Sequence, residues 1–128
     1  MKFKALALAS LAVAAFAAPA LAHHSFAMFD ADKTMTLNGT VTDFEWTNPH
    51  SWIRLTVADN GGTLRPWAIE MGSPAANTQR GWKADTIKPG DKITLTIHPL
   101  KDGSRGGQFM AATFPDGKRL INPRQVTE

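Results

Sequence analysis

The sequence contains no cysteine among its 128 residues, which excludes thiol nucleophiles, dithiol redox chemistry, iron–sulfur clusters and thiolate zinc sites. No disulfide can staple the fold, so hydrophobic burial has to hold it together. Any metal must be taken by His, carboxylate, Met or the backbone. Tyrosine is also absent, and the aromatic area comes from four Trp and seven Phe. Beyond the first 22 residues no stretch approaches the roughly 18 to 20 apolar residues of a membrane-spanning helix. Internal repeats and low-complexity segments are missing, which excludes solenoids and arrays.

The first 22 residues read as a leader. Lys2 and Lys4 precede an apolar run from Ala5 to Ala18 that is broken only by Ser10, and Ala20-Leu21-Ala22 forms a small-x-small cleavage site. This predicts a signal peptide over 1–22, cleaved after Ala22, and a secreted product of the periplasm with no membrane span after processing. Loss of Lys2 and Lys4 leaves twelve basic residues against eleven acidic ones. Such a balance lacks the single-sign field of a nucleic-acid binder, so no nucleic-acid partner is expected. At 43% hydrophobic and 20% charged residues, the composition is that of one ordinary globular domain.

Residues 23–33, HHSFAMFDADK, show no clean period and read as an extended N-terminal arm. From Thr34 a period of two begins, with Met35, Leu37, Gly39 and Val41 on one face and threonines and Asn38 on the other, which predicts a β-strand. The apolar phase then slips by one residue to Phe44 and Trp46, the pattern that a β-bulge produces, with Gly39 close upstream. After a turn at Asn48-Pro49, Ile53, Leu55 and Val57 alternate inward. Asp59-Asn60-Gly61-Gly62 then signals a hairpin into a strand carrying Trp67, Ile69 and Met71. Pro66 cannot donate to a ladder and belongs at an edge or irregularity of that strand.

Ser73-Pro74 suits a helix N-cap and first turn, and Gly81 suits its end, so a short helix is expected to about Arg80, with Trp82 packing beneath it. Ile93, Leu95 and Ile97 mark a fourth strand, Phe109 to Phe114 a fifth, and Pro115-Asp116-Gly117-Lys118 turns the chain back toward Leu120 and Ile121. Three strands, a short helix and two strands is the order of the OB-fold. The expectation is therefore an all-β domain with one short helix over 34–128, a five-stranded OB-like Greek-key barrel preceded by the arm and the signal peptide. A small β-sandwich is the alternative. Ile53, Leu55, Val57, Trp67, Ile69, Ile93, Leu95 and Ile97 are the expected core.

The segments HHSFAMFD, LNGTVTDFEWTNPHSWI, IEMGSP with a following GW, and KPGDKITL resemble a family of small exported proteobacterial proteins classed as a domain of unknown function (DUF6152-like). The likeness covers nearly the whole mature chain. It implies export and one compact domain, and it implies no reaction, ligand or catalytic residue.

Cleavage after Ala22 would make His23 the N-terminal residue, with His24 beside it, so that a free α-amine and two imidazoles form a chelating group suited to Cu(II). This arrangement is similar to one half of the histidine brace of copper oxygenases and periplasmic copper carriers. Cleavage after Ala20 would leave His23 in third position, which also chelates Cu(II). A histidine pair retained for processing or solubility is the competing explanation. His50, in the turn between Trp46 and Trp52, is the candidate third ligand, set against a histidine that satisfies backbone with a ring N–H. Met28 is expected to pack and His98 to lie on the solvated face of its strand.

Trp52 is out of phase with the core residues of its strand, so it should face outward near His50 as a ligand surface, unless the arm covers it. No spacing brings Asp43, Glu45 and Glu70 together as general acid and base, so no catalytic constellation is identified and an enzyme is not expected. The leading expectation is a periplasmic, non-catalytic binding protein taking Cu(II) through His23, His24 and His50, with copper as the sole cofactor considered. The alternative is a metal-free OB-like module that binds a peptide, glycan or partner protein on its Trp52 face and the Lys101 to Gly107 loop.

Overall fold

The computed structural model describes residues 27–123. Six strands and one helix follow one another as β1 (Met35–Glu45), β2 (Trp52–Ala58), β3 (Leu64–Glu70), α1 (Pro74–Gln79), β4 (Lys92–Pro99), β5 (Gly106–Thr113) and β6 (Arg119–Ile121). Antiparallel ladders join β1 to β2, β2 to β3, β4 to β1 and β5 to β4, and a short parallel ladder of Ala68–Glu70 with Gly106–Gln108 joins β3 to β5. That parallel contact closes a five-stranded barrel in the order β1-β2-β3-β5-β4, the expected OB-like connectivity. β6 pairs with the far half of β5, at Ala111–Thr113, and extends the sheet outside the barrel.

The alternation written in the sequence produces the core. Leu37, Val41, Ile53, Leu55, Ile69, Ile93, Leu95 and Ile97 are all buried. Val57 and Trp67 are only partly buried against this cluster. They face each other diagonally in the β2–β3 hairpin, in the stretch of β3 that β5 has not yet joined, so β5 does not cover them. Met35, assigned to the inward face, is exposed because it sits at the mouth of β1.

The one-residue slip in apolar phase is a real irregularity. The register of β1 on β2 shifts between Val41 and Asp43, leaving Thr42 as the extra residue. Pro66 lies opposite Thr56 in the part of β3 that pairs with β2 alone, so its missing N–H faces an open edge. Ser73 caps α1, its side-chain oxygen accepting from Ala76 N at 3.2 Å, and Gly81, at φ +91°, ends it. Trp82 then enters the core, with ring centroids 5.4 to 5.9 Å from Phe44, Phe109 and Phe114.

The described part of the arm runs beside the end of β4. Asp30 N donates to Pro99 O at 2.8 Å, Lys101 N donates to Met28 O at 2.9 Å, and Phe29 is buried where it bridges Leu100. Because an extended chain alternates its sides, Phe29 turned inward puts Met28 outward. Met28 is exposed, contrary to the packing role expected of it. Among the described residues no helix is long and apolar enough to cross a membrane.

Candidate functional site: the outer row around Trp52

Five directly opposed residues, one from each barrel strand, share the outer face. Glu45 on β1 faces Trp52 on β2, Trp52 faces Glu70 on β3, Glu70 faces Gln108 on β5, and Gln108 faces His98 on β4. Directly opposed residues hold their β-carbons about 4.5 to 5.5 Å apart, so this register makes a continuous band of side chains. Sequence spacing alone did not join Glu45 to Glu70. The barrel sets them on the two sides of Trp52.

On the Glu45 side the band is satisfied. Arg54 Nε and its terminal nitrogen donate to the two oxygens of Glu45, and the Arg54 guanidinium carbon lies 5.7 Å from the centre of the Trp52 ring. The carboxylates of Glu45 and Asp43 hold the guanidinium above its usual pKa, with the Glu45 hydrogen bond as the larger cause. Trp52 itself is half-buried and outward, as its phase requires. The described part of the arm lies along β4 and does not pair with β2.

The Glu70 side is not satisfied in the same way. The Glu70 side chain keeps only 10% of its exposure, and its ion-pair partner among the described residues is His50 Nδ1 at 3.5 Å. That nitrogen lies closer to Met71 O, at 3.0 Å. A carbonyl oxygen only accepts, so Nδ1 carries the proton and donates. Burial pushes the Glu70 carboxyl above its ordinary pKa, opposed by the charge on His50.

His50 is held by a short, well-anchored loop, in which the Asn48–Pro49 peptide is cis. Thr47 Oγ1 donates to His50 O at 3.0 Å. The next residue, Ser51, is fully buried, its N–H donating to Gly72 O and its carbonyl accepting from Met71 N, each at 2.9 Å. With Nδ1 engaged by Met71 O, the imidazole leaves Nε2 as its remaining ligating atom. The loop backbone thus does not receive the ring N–H. The carbonyl of Met71, just past the end of β3, does.

His98 corrects the sequence reading. It is 7% exposed and not solvated, and its Nδ1 donates to Lys33 O at 2.7 Å. The cause is the arm, which lies over the outer face at this point and takes the His98 N–H at Lys33 O. His23 and His24 lie outside the described residues. Among the described residues no three histidines and carboxylates gather into a metal-binding group. Two open hollows share Lys92, Phe114 and Pro115, several residues further along the strands from the Trp52 row, and Lys92 is tied there to Thr40 at 2.7 Å.

No curated protein matches the chain. The model of a family of unknown function, DUF6152, matches residues 9–110. The barrel and its outer row are thus those of a member of the DUF6152 family, to which this chain belongs.

Proposed function

We propose that the protein is a non-catalytic binding module of the periplasm and that its ligand surface is the outer face of β2 and β3 around Trp52. The observation that supports this reading most is the register row Glu45, Trp52, Glu70 and Gln108, in which an outward tryptophan is flanked by hydrogen-bonding side chains. The β1–β2 loop carrying His50 borders this face, and the β4–β5 loop of Lys101 to Arg105 enters β5 beside Ala68. In OB-type barrels this combination of one sheet face and two loops is where polymers of sugars or nucleotides dock. A near-neutral surface favours a peptide, glycan or partner protein over a nucleic acid.

The test is chemical-shift mapping of the purified protein with short peptides and oligosaccharides. Ligands should move the Trp52 indole and the amides of Arg54, Glu70 and Gln108, and Trp52→Ala should weaken binding about tenfold or more. Binders whose shifts cluster instead at Thr40 and Lys92 would refute the assignment.

A second reading, Cu(II) binding through His50 with His23 and His24, is favoured by one feature. A ring whose Nδ1–H is held by the Met71 carbonyl, with Nε2 left over, has the outer hydrogen bonding that orients metal-ligating histidines. Competitive Cu(II) titration tests it against an isolated HHSF peptide. Protein affinity equal to that of the peptide, or unchanged by His50→Ala, would end the copper reading.

A further inference from the structure

We propose that the Glu70 side of Trp52 is a recognition site for a guanidinium group, taken from an arginine side chain of a partner peptide. This deepens the binding-face reading and rests on it. Trp52 is flanked in register by two carboxylates, Glu45 and Glu70. One flank already holds a guanidinium: Arg54 forks onto Glu45 and lies over the Trp52 ring. The other flank repeats the carboxylate and shares the aromatic ring, and the ion pair recorded for it among the described residues is to His50 and not to a Lys or Arg. Among the described residues the charge that acts on Glu70 is that of His50, whose Nδ1 lies 3.5 Å from the carboxylate while its N–H donates to Met71 O.

A glutamate side chain that is nine-tenths buried, with an imidazole 3.5 Å away and no hydrogen bond to its carboxylate recorded among the described residues, is costly for the fold to keep, because little replaces the hydration it has given up. An incoming cation would supply those bonds. Charge favours the same occupant: Arg54 already serves two carboxylates, Glu45 and Asp43, and among the described residues the charge beside Glu70 is that of the His50 imidazole. The geometry favours guanidinium over ammonium. A planar group can stack against the indole while it forks to a carboxylate, and it is less strongly hydrated than an ammonium. Gln108, opposite Glu70 on β5, adds an amide oxygen as a further acceptor at the rim.

The test uses the purified protein and four probes: an acetylated, amidated Gly-Arg-Gly peptide, its lysine and citrulline counterparts, and a neutral oligosaccharide. The Trp52 indole resonance, assigned by its loss in Trp52→Phe, is followed by NMR. The arginine peptide should shift it saturably, the lysine peptide should bind about threefold or more weakly, and the citrulline peptide should not bind. Glu70→Gln removes the charge while keeping the shape, and should weaken the arginine peptide at least tenfold while the fold, read from the remaining resonances, stays intact. Equal binding of arginine and citrulline peptides, or arginine binding untouched by Glu70→Gln, overturns the proposal. An oligosaccharide that shifts Trp52 when the arginine peptide does not would overturn it too, while leaving the binding-face reading standing. If no probe shifts Trp52, the guanidinium site fails.

Discussion

Replacing Gly39 by alanine measures how tightly β1 bends around the barrel. A β-carbon at position 39 would lie 2.7 Å from Leu55 Cδ1, 2.7 Å from Thr56 O and 3.1 Å from Val57 Cγ2. Leu55 is 1% exposed and has nowhere to move. Thr56 O belongs to the strand paired with β1 in this register and recedes only by lengthening the ladder. Overpacking of this kind costs about 1 to 3 kcal/mol, while the lost freedom of glycine in the unfolded chain returns about 0.4 to 1 kcal/mol. The net loss should be about 1 to 2 kcal/mol, which for a domain of this size lowers Tm by roughly 5 to 15 °C. Gly61→Ala is the control, because its β-carbon would meet only Asp59 Oδ1, at 3.5 Å. Urea and thermal unfolding followed by circular dichroism compare the two. Coincident midpoints for Gly39→Ala and Gly61→Ala would refute the claim that close approach of backbone, and not flexibility, requires glycine here.

The remaining predictions concern the outer row. Glu70→Gln should raise Tm at neutral pH. Burial holds the folded carboxyl above its ordinary pKa, so its contribution to stability is full below the ordinary carboxylate range and is lost as pH rises through the folded value. Thermal melts should therefore show the glutamine advantage vanishing in acid, and a pH-independent difference would refute the assignment of the shift to Glu70. His98→Ala should cost about 1 to 3 kcal/mol, from the lost 2.7 Å hydrogen bond and the buried ring, and should speed trypsin cleavage after Lys33. His50→Ala should leave that cleavage unchanged. Equal protection in the two variants would mean that His98 does not fasten the arm.

Much of the barrel is legible in the sequence because period-two alternation reports burial directly. The inward residues of β1, β2 and β4 and the Ser73 cap are each signalled by local pattern, as is the slip between Val41 and Phe44 that becomes a bulge. Burial imposed from outside a strand is not local, and there the pattern misleads. His98 is in step with Thr94 and Thr96, yet the arm buries it. Met28 has an apolar side chain between two phenylalanines, yet the inward turn of Phe29 leaves it exposed. Outward placement of Trp52 was readable from its phase, and its neighbours were not, because they come from strands up to 56 positions away in the chain.

Two register irregularities decide which side chains meet in the outer row. Were β1 to continue its early register past Thr42, Phe44 and not Glu45 would stand opposite Trp52, and an aromatic pair would replace the carboxylate that holds Arg54. Were β5 to continue its late register past Met110, Phe109 and not Gln108 would face His98. Each shift also turns the neighbouring side chain across the sheet: Phe44 packs against the core and Phe109 is buried in it. The same two extra residues therefore fill the barrel with phenyl rings and line its outside with Glu45 and Gln108. A bulge on one strand is a local event, but its effect on the candidate site appears only when that strand is paired with its partner. This is why the chemistry of the Trp52 face follows from the ladder and not from any one segment.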